Sequence, residues 1–391
     1  MTIDLERARR ETPACERVMH FNNAGAALMP APVVEAVVSH LRLEAEIGGY
    51  EAEERERERH ERVYDLVARL INCAREEVAV VENATRAWDM AFYSLPLRAG
   101  DRVLTSRAEY ASNYIALLQV ARRTGATVEP VPSDEAGQLS VGHLRAMMDE
   151  RVRLIAMTHV PTNGGLVNPA AEVGRVAREW GVPFLLDACQ SVGQMPIDVE
   201  EIGCDMLSAT GRKFLRGPRA VGFLYVRRPA LERLEPVLLD MHAAEWTDAD
   251  GYRLRPDARR FENWETNYAT KLGLAAAVEY ALGWGLDAIE SRVNALAEDL
   301  RARLAGLPGV TVRDLGARRC GIVTFTVEGR DPEELKRQLG ERRINVTVSR
   351  TTGTRLDMEA RGITEMVRAS VHYYNSEDEV ARFCDTLAEL I

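Results

Sequence analysis

Short, almost wholly apolar runs alternate with stretches of helical period through the first two thirds of the chain. EVAVVE (77–82), RVLTS (102–106), TVEPV (127–131), RLIAMTHV (153–160), PFLLDA (183–188), DMLSA (205–209) and AVGFLYV (220–226) read as strands. Between several of them lie amphipathic segments such as ASNYIALLQVARRTG and AAEVGRVAREWG, each closed by the glycine that ends many helices. Strands that are apolar throughout and alternate with helices predict an α/β fold. Its sheet is mixed, mainly parallel and covered on both faces. The last two strands are too close for a helical crossover, so they pair antiparallel. In such sheets ligands collect at the carboxyl ends of the strands.

The final third changes character. KLGLAAAVEYALGWGLDAIESRVNALAEDLRARLAGL reads as one long helix, and VTVRDL, CGIVTFTV, INVTVS and MVRASVHYY as the strands of a smaller α+β unit. The expected division is a large domain over 23–265 and a small C-terminal domain over 266–391 that includes the connecting helix. Residues 1–22 form a segment packed on the small domain. The charge-dense stretch 41–66 reads as a solvated helix of alternating charge.

Composition narrows the function classes. A formal charge of −10 over 391 residues argues against a general nucleic-acid or anionic-membrane surface. The six cysteines have neither metal-ligand nor redox-motif spacing, which fits free thiols in a reducing cytoplasm. The first residues lack an apolar signal core, and no run has the length of a membrane span. The expectation is a soluble cytoplasmic protein without a metal site.

One lysine stands out. In DMLSATGRKFLRGPRAVGFLYV, Lys213 follows a strand and precedes a glycine-rich turn, so it projects at a strand end. Burial disfavours an ammonium, which makes such an amine available for a Schiff base. FLLDACQ ends a buried strand in Asp187, a carboxylate that needs a cationic partner. A protonated pyridine nitrogen is such a partner, which points to pyridoxal phosphate. The other requirements of that cofactor have candidates nearby. Gln190 is placed for the ring hydroxyl, and Tyr110, after another strand, for stacking on the ring. The amides of Ala84 and Thr85, at a helix start, would cradle the phosphate, assisted by Thr210 and Arg212.

The order HVPTNGGLVNP, LLDACQ, SATGRKF, with Lys213 26 residues after Asp187, resembles the class V aminotransferase family of fold-type I pyridoxal-phosphate enzymes. That family includes cysteine desulfurases, selenocysteine lyases, isopenicillin N epimerases and several C–S lyases. The resemblance runs from HFNNAGAALMP to VRASVHYYN. It implies that Lys213 carries the Schiff base, Asp187 faces the pyridine nitrogen and Gln190 the ring hydroxyl. It also implies that Tyr110 stacks, and that Thr85, Thr210 and Arg212 hold phosphate. Thr162 or its neighbour Asn163 lies beside the cofactor. Thr266 reaches the phosphate of a partner subunit, which implies a homodimer. Arg368 grips the α-carboxylate of an amino-acid substrate, near Asn23, Ala24 and Gly25.

The sequence departs from a cysteine desulfurase in one respect. Such enzymes take sulfur onto a cysteine in the loop before the RAS arginine, and here no cysteine lies between Cys320 and Cys384. Phrases such as EAEIGGYEAEE and TTGTRLDMEARG resemble the C–S lyases and isopenicillin-N-epimerase-like members instead. The implied activity is β-elimination from an S-substituted L-cysteine to a thiol, pyruvate and ammonia. Arg216, Arg219, Arg350 and Arg355 are candidates for reading the S-substituent. The alternatives are decarboxylating oxidative deamination, epimerisation or transamination, and, in another class, a non-catalytic binding protein on the same fold.

Overall fold

All seven apolar runs are strands of one sheet in the computed structural model, which describes residues 2–391. They are β1 (Val78–Val81), β2 (Arg102–Ser106), β3 (Thr127–Val131), β4 (Val152–Thr158), β5 (Phe184–Asp187), β6 (Met206–Thr210) and β7 (Gly222–Val226). Their order across the sheet is β1-β7-β6-β5-β4-β2-β3. Neighbours from β6 to β3 are parallel, and β7 runs antiparallel to both β6 and β1. Every residue of β1, β5, β6 and β7 is buried, because helices cover both faces. Burying a valine or leucine side chain there contributes about 1.5–3 kcal/mol.

A second sheet has four antiparallel strands in the order β8-β9-β11-β10: β8 (Val310–Val312), β9 (Ile322–Val327), β10 (Thr347–Arg350) and β11 (Glu365–Ser370). Met19 and His20 pair in parallel with Ile344 and Asn345.

Two helical readings change. The long helix is two, Tyr268–Trp284 and Leu286–Ala305, bent by 80°. The break is Gly285, whose φ of +85° is open to glycine and costly for other residues. The stretch 41–66 is not a single solvated helix either. One helix ends at Ile47, a short one spans Gly49–Arg55, and a third spans Arg57–Ile71. The third buries His60, Val63, Tyr64, Val67 and Ile71 on one face, which the charge pattern concealed. Among the described residues no single helix is long and apolar enough to cross a membrane. All six cysteines are free.

Candidate active site

The carboxyl ends of the sheet strands open into a cavity of about 380 Å3, within the range of small-ligand sites. Lys213 enters it from the turn after β6, and Asp187 from the last position of β5. Thr210, Arg212, Gln190, Tyr110, Thr162, Ala84 and Thr85 complete most of the wall. Strand ends at the middle of a parallel sheet thus gather residues that lie up to 129 positions apart, from Ala84 to Lys213.

At one end of the cavity the helix Ala84–Tyr93 begins, with the Asn83 side chain accepting from the Arg86 amide at 2.9 Å. The amides of Ala84 and Thr85 fall in the first turn, where no intrahelical acceptor exists, so they can bind an anion. Gly222 on β7 permits this approach. A Cβ there would lie 2.4 Å from the Ala209 carbonyl oxygen and 3.2 Å from the Ala84 nitrogen. Arg212 and Arg219 line the same cavity, and among the described residues neither is in an ion pair with a carboxylate. Burial, with Arg219 nearby, lowers the Arg212 pKa.

Asp187 is 5 % exposed. Its Oδ1 accepts from the Cys189 amide and its Oδ2 from Asn113 Nδ2, both at 2.9 Å. These neutral donors orient the carboxylate and leave its charge uncompensated. Burial lowers the Lys213 pKa, an effect opposed by Cys189 and Asp187 and reinforced by Arg212 and Arg368. The free amine is therefore more available than in water.

Gln190 donates through Nε2 to the Ala24 carbonyl at 3.1 Å and to Thr162 Oγ1 at 3.3 Å. Its buried Oε1 has no partner, so a hydroxyl from a bound ring would satisfy it. Arg368 lies on β11, behind Thr162, beside a shallower adjoining cavity. Nη1 donates at 2.9 Å to both the carbonyl and the hydroxyl of Thr162, and Nη2 to Asn22 Oδ1 at 3.3 Å. Nε is buried without an acceptor. Burial, together with Arg212, lowers the Arg368 pKa to about 10.

The orphaned Gln190 oxygen, the uncompensated Asp187, the helix-start amides and the unpaired arginines fit pyridoxal phosphate. Its phosphate, ring nitrogen and hydroxyl match them in charge and hydrogen-bonding sense.

Some expected residues lie elsewhere. Asn163 faces away from the main cavity, donating to the Arg350 carbonyl at 3.0 Å and Thr354 Oγ1 at 3.1 Å, so Thr162 is the member of that pair on the wall. Asn23 is spent on structure: its Nδ2 donates to the Ser370 carbonyl at 2.7 Å and its Oδ1 accepts from the Tyr374 hydroxyl. Ala24 and Gly25 contribute backbone carbonyls to Gln190 and Arg212 rather than lining the cavity. Thr266, expected at a partner's phosphate rather than in its own chain's cavity, lies in the loop before Tyr268. Of the four extra arginines only Arg219 lines the cavity. Arg216 is 1 % exposed and bound to Leu28, Tyr373 and Thr12. Arg350 pairs with Glu365 and Glu333, and Arg355 with Glu359. Sequence reasoning missed Asn22, Asn113 and Glu109. The last two stood within SRAEYASN, where an acid and an amide four residues apart flank a helix start.

Comparison with known proteins supplies the family. The family model for class-V aminotransferases matches residues 19–383. A probable cysteine desulfurase of Methanothermobacter thermautotrophicus is 29 % identical, covering 98 % of each chain. Another, of Xylella fastidiosa, is 31 % identical, covering 99 % of this chain and 95 % of its own. The apo structure of a cysteine desulfurase from Thermococcus onnurineus superposes with a TM-score of 0.93 at 28 % identity, covering 100 % and 98 % of the two chains.

Proposed function

The chain belongs to the class-V aminotransferase family of pyridoxal-phosphate enzymes, and on that premise we propose that it cleaves the C–S bond of an S-substituted L-cysteine. Water is consumed, and the products are a thiol, pyruvate and ammonia. When bound, pyridoxal phosphate supplies the electron sink that acidifies the Cα–H and lets a β-substituent leave. The phosphate would rest on the Ala84 and Thr85 amides, Thr210 and Arg212, and Tyr110 would cover a ring face. Asp187 would hold the proton on the ring nitrogen, through the carboxylate edge that Asn113 and the Cys189 amide leave free. The Lys213 amine would remove the Cα proton as general base, a role favoured by its lowered pKa. Arg368 would grip the α-carboxylate with its unpaired Nε, held in place by Thr162 and Asn22.

The observation that carries the choice of a released thiol is the cysteine inventory. No cysteine lies between Cys320 and Cys384, so the loop joining β10 to β11 has no sulfur acceptor. The one cysteine on the cavity wall, Cys189, has its thiol pKa pushed far up by burial and then by Asp187, which leaves it a poor nucleophile.

A homodimer belongs to the same reading. Met241, Trp246, Tyr252 and Trp264 stand exposed on one segment that leads to Thr266, and Trp246 is 81 % exposed. A monomer rarely leaves such a patch in water. Sedimentation of the purified protein at twice the chain mass is the expected result, and a monomer would remove this element.

The deciding experiment feeds the purified holoenzyme a panel of S-substituted L-cysteines and follows pyruvate, free thiol and oxygen together. Equal pyruvate and thiol without oxygen uptake is expected. Oxygen uptake with an aldehyde and no pyruvate would replace the reading by oxidative decarboxylation. Silence across the panel would replace it by epimerase or aminotransferase chemistry.

A further inference from the structure

Behind Asp187 lies a second buried carboxylate that the reaction above does not use. Glu109 follows β2 and turns inward, 4 % exposed. Three N–H groups converge on it at 2.9 Å: the Thr158 amide on Oε2, and the Tyr110 amide and Asn113 Nδ2 on Oε1. The hydroxyl of Thr158 also reaches Oε1, and that of Thr105 reaches Oε2 at 3.2 Å. Ser106 Oγ lies at 3.5 Å. Among the described residues no lysine, arginine or histidine pairs with it, and Asp187 is the charged group it feels.

The Asn113 amide is shared. Nδ2 has two hydrogens, and it lies 2.9 Å from both Glu109 Oε1 and Asp187 Oδ2. One nitrogen therefore bridges two buried carboxylates. A bridge of this kind fixes the rotamer of Asp187 more firmly than a single donor does, because Glu109 holds the amide in place. It also sets two like charges close together in a low-dielectric interior, an arrangement that costs free energy until a cation arrives. Burial and the charge of Asp187 raise the Glu109 pKa, while Thr158 and Asn113 oppose the rise. Three N–H donors occupy three of its four lone-pair sites, and this favours the ionised form.

The geometry points to Glu109 as a positioning residue that acts through Asn113 on Asp187, orienting its carboxylate and adding negative charge that strengthens the grip on a protonated ring nitrogen. This rests on the cofactor reading given above. Glu109 touches neither cofactor nor substrate. Its effect is to make the Asp187 site hungrier for a proton on the far side of the Asp187 carboxylate than Asp187 alone would be.

The test uses the holoenzyme reconstituted with pyridoxal phosphate carrying nitrogen-15 in the ring. The nitrogen resonance is followed against pH in the wild type and in Glu109→Gln. The ring nitrogen of the variant should lose its proton about one pH unit lower, a proton affinity about tenfold weaker. Superimposable titrations would overturn the proposal. If Glu109→Gln does not fold, Asn113→Leu keeps Glu109 and removes the bridge. Without the amide, Asp187 is no longer held toward the ring, so the titration should depart from the wild-type curve, and a superimposable curve would overturn the proposal equally. A wild-type protein that takes up no cofactor would overturn the cofactor reading itself. Uptake followed by identical titrations would overturn only the role of Glu109.

Discussion

Arg216 was a candidate substrate reader in the sequence and is a structural tie in the fold, so replacing it discriminates between the two ideas. Its Nε donates to the Leu28 carbonyl at 2.8 Å, Nη1 to the Tyr373 hydroxyl at 2.7 Å, and Nη2 to Thr12 Oγ1. The guanidinium also lies 4.4 Å from the ring centroid of Tyr374. Arg216→Met keeps much of the buried apolar stem and removes all of this. Thr12 retains its bond to the Ala8 carbonyl, whereas the Tyr373 hydroxyl and the Leu28 carbonyl lose the bonds Arg216 gave them. A buried group such as the Tyr373 hydroxyl left unpaired costs about 1–3 kcal/mol, and the half-buried Leu28 carbonyl falls toward the lower end of that range. A desolvated cation–aromatic contact adds about 2 kcal/mol. The summed loss is about 4–8 kcal/mol, with methionine burial returning part of it. The backbone does not enter the comparison. Arg216 has a φ of +61°, a conformation equally costly for methionine and lysine. Arg216→Lys keeps the charge, loses the fork and should fall between. Urea unfolding of the three proteins is the assay. A loss under about 1 kcal/mol for Arg216→Met would refute the tie. A selective rise in KM for anionic S-substituents at full stability would restore the substrate-reading role.

Other consequences are equally direct. Lys213→Ala should keep its fold and lose the visible absorbance of the lysine-bound cofactor; a wild-type spectrum would sink the assignment. Arg368→Lys should weaken substrates bearing an α-carboxylate by about ten- to a hundredfold, the loss of the Nε contact and of the fork that Thr162 and Asn22 hold in place, and leave decarboxylated analogues nearly unchanged. Equal losses for both would refute the grip. His60 and His159 are buried with pKa values lowered to about 3, chiefly by desolvation. Below their usual 6.5 the unfolded chain binds protons that the folded one refuses. Stability is therefore full above pH 6.5 and falls as pH drops toward 3. The urea midpoint should decline from pH 7 to pH 5, and less steeply in His60→Phe; an unchanged slope in that variant would contradict the assignment.

The parallel strands were legible because each is apolar on both faces and bounded by turns, a pattern that depends only on local burial. Lys213, Asp187 and Gln190 were legible because strand ends in such a sheet share one rim, whereas the choice between Thr162 and Asn163 was not. What the sequence hid was side-chain partnership at long range. Arg216 and Arg219 sit three residues apart in one turn, yet one is sealed under Tyr373 and the other lines the cavity. Nothing in RGPRA distinguishes them, since the outcome depends on a residue 157 positions away. The same holds for Asn163, drawn off by Thr354, and for the bend at Gly285, where a single glycine interrupts an otherwise continuous helical period.

Lys213 and Arg368 belong to different sheets, and a reaction at Cα needs them in fixed relation. The fold supplies that relation through the residues immediately beyond each. Phe214 follows the lysine, and its carbonyl accepts from His372 Nε2 at 2.9 Å, four residues past the arginine. His372 Nδ1 accepts from the Tyr373 amide at 2.9 Å, so the ring must be neutral with its proton on Nε2. Burial, with Arg216 close by, drives its pKa in the direction this requires. Gln194 makes a second strap, donating to the Gln190 carbonyl and accepting from the Gly321 amide at 3.0 Å. The segment that carries the lysine is thus joined to the one that carries the arginine by the His372 bond, and Gln194 ties the segment beyond Asp187 to the strand that pairs with the arginine's. A fixed relation of this kind leaves selectivity to the rest of the lining, where Arg219 stands on the main cavity and Thr352 and Gly353 stand with Arg368 on the smaller one. That division of labour fits a family in which one carboxylate grip and one lysine serve many leaving groups.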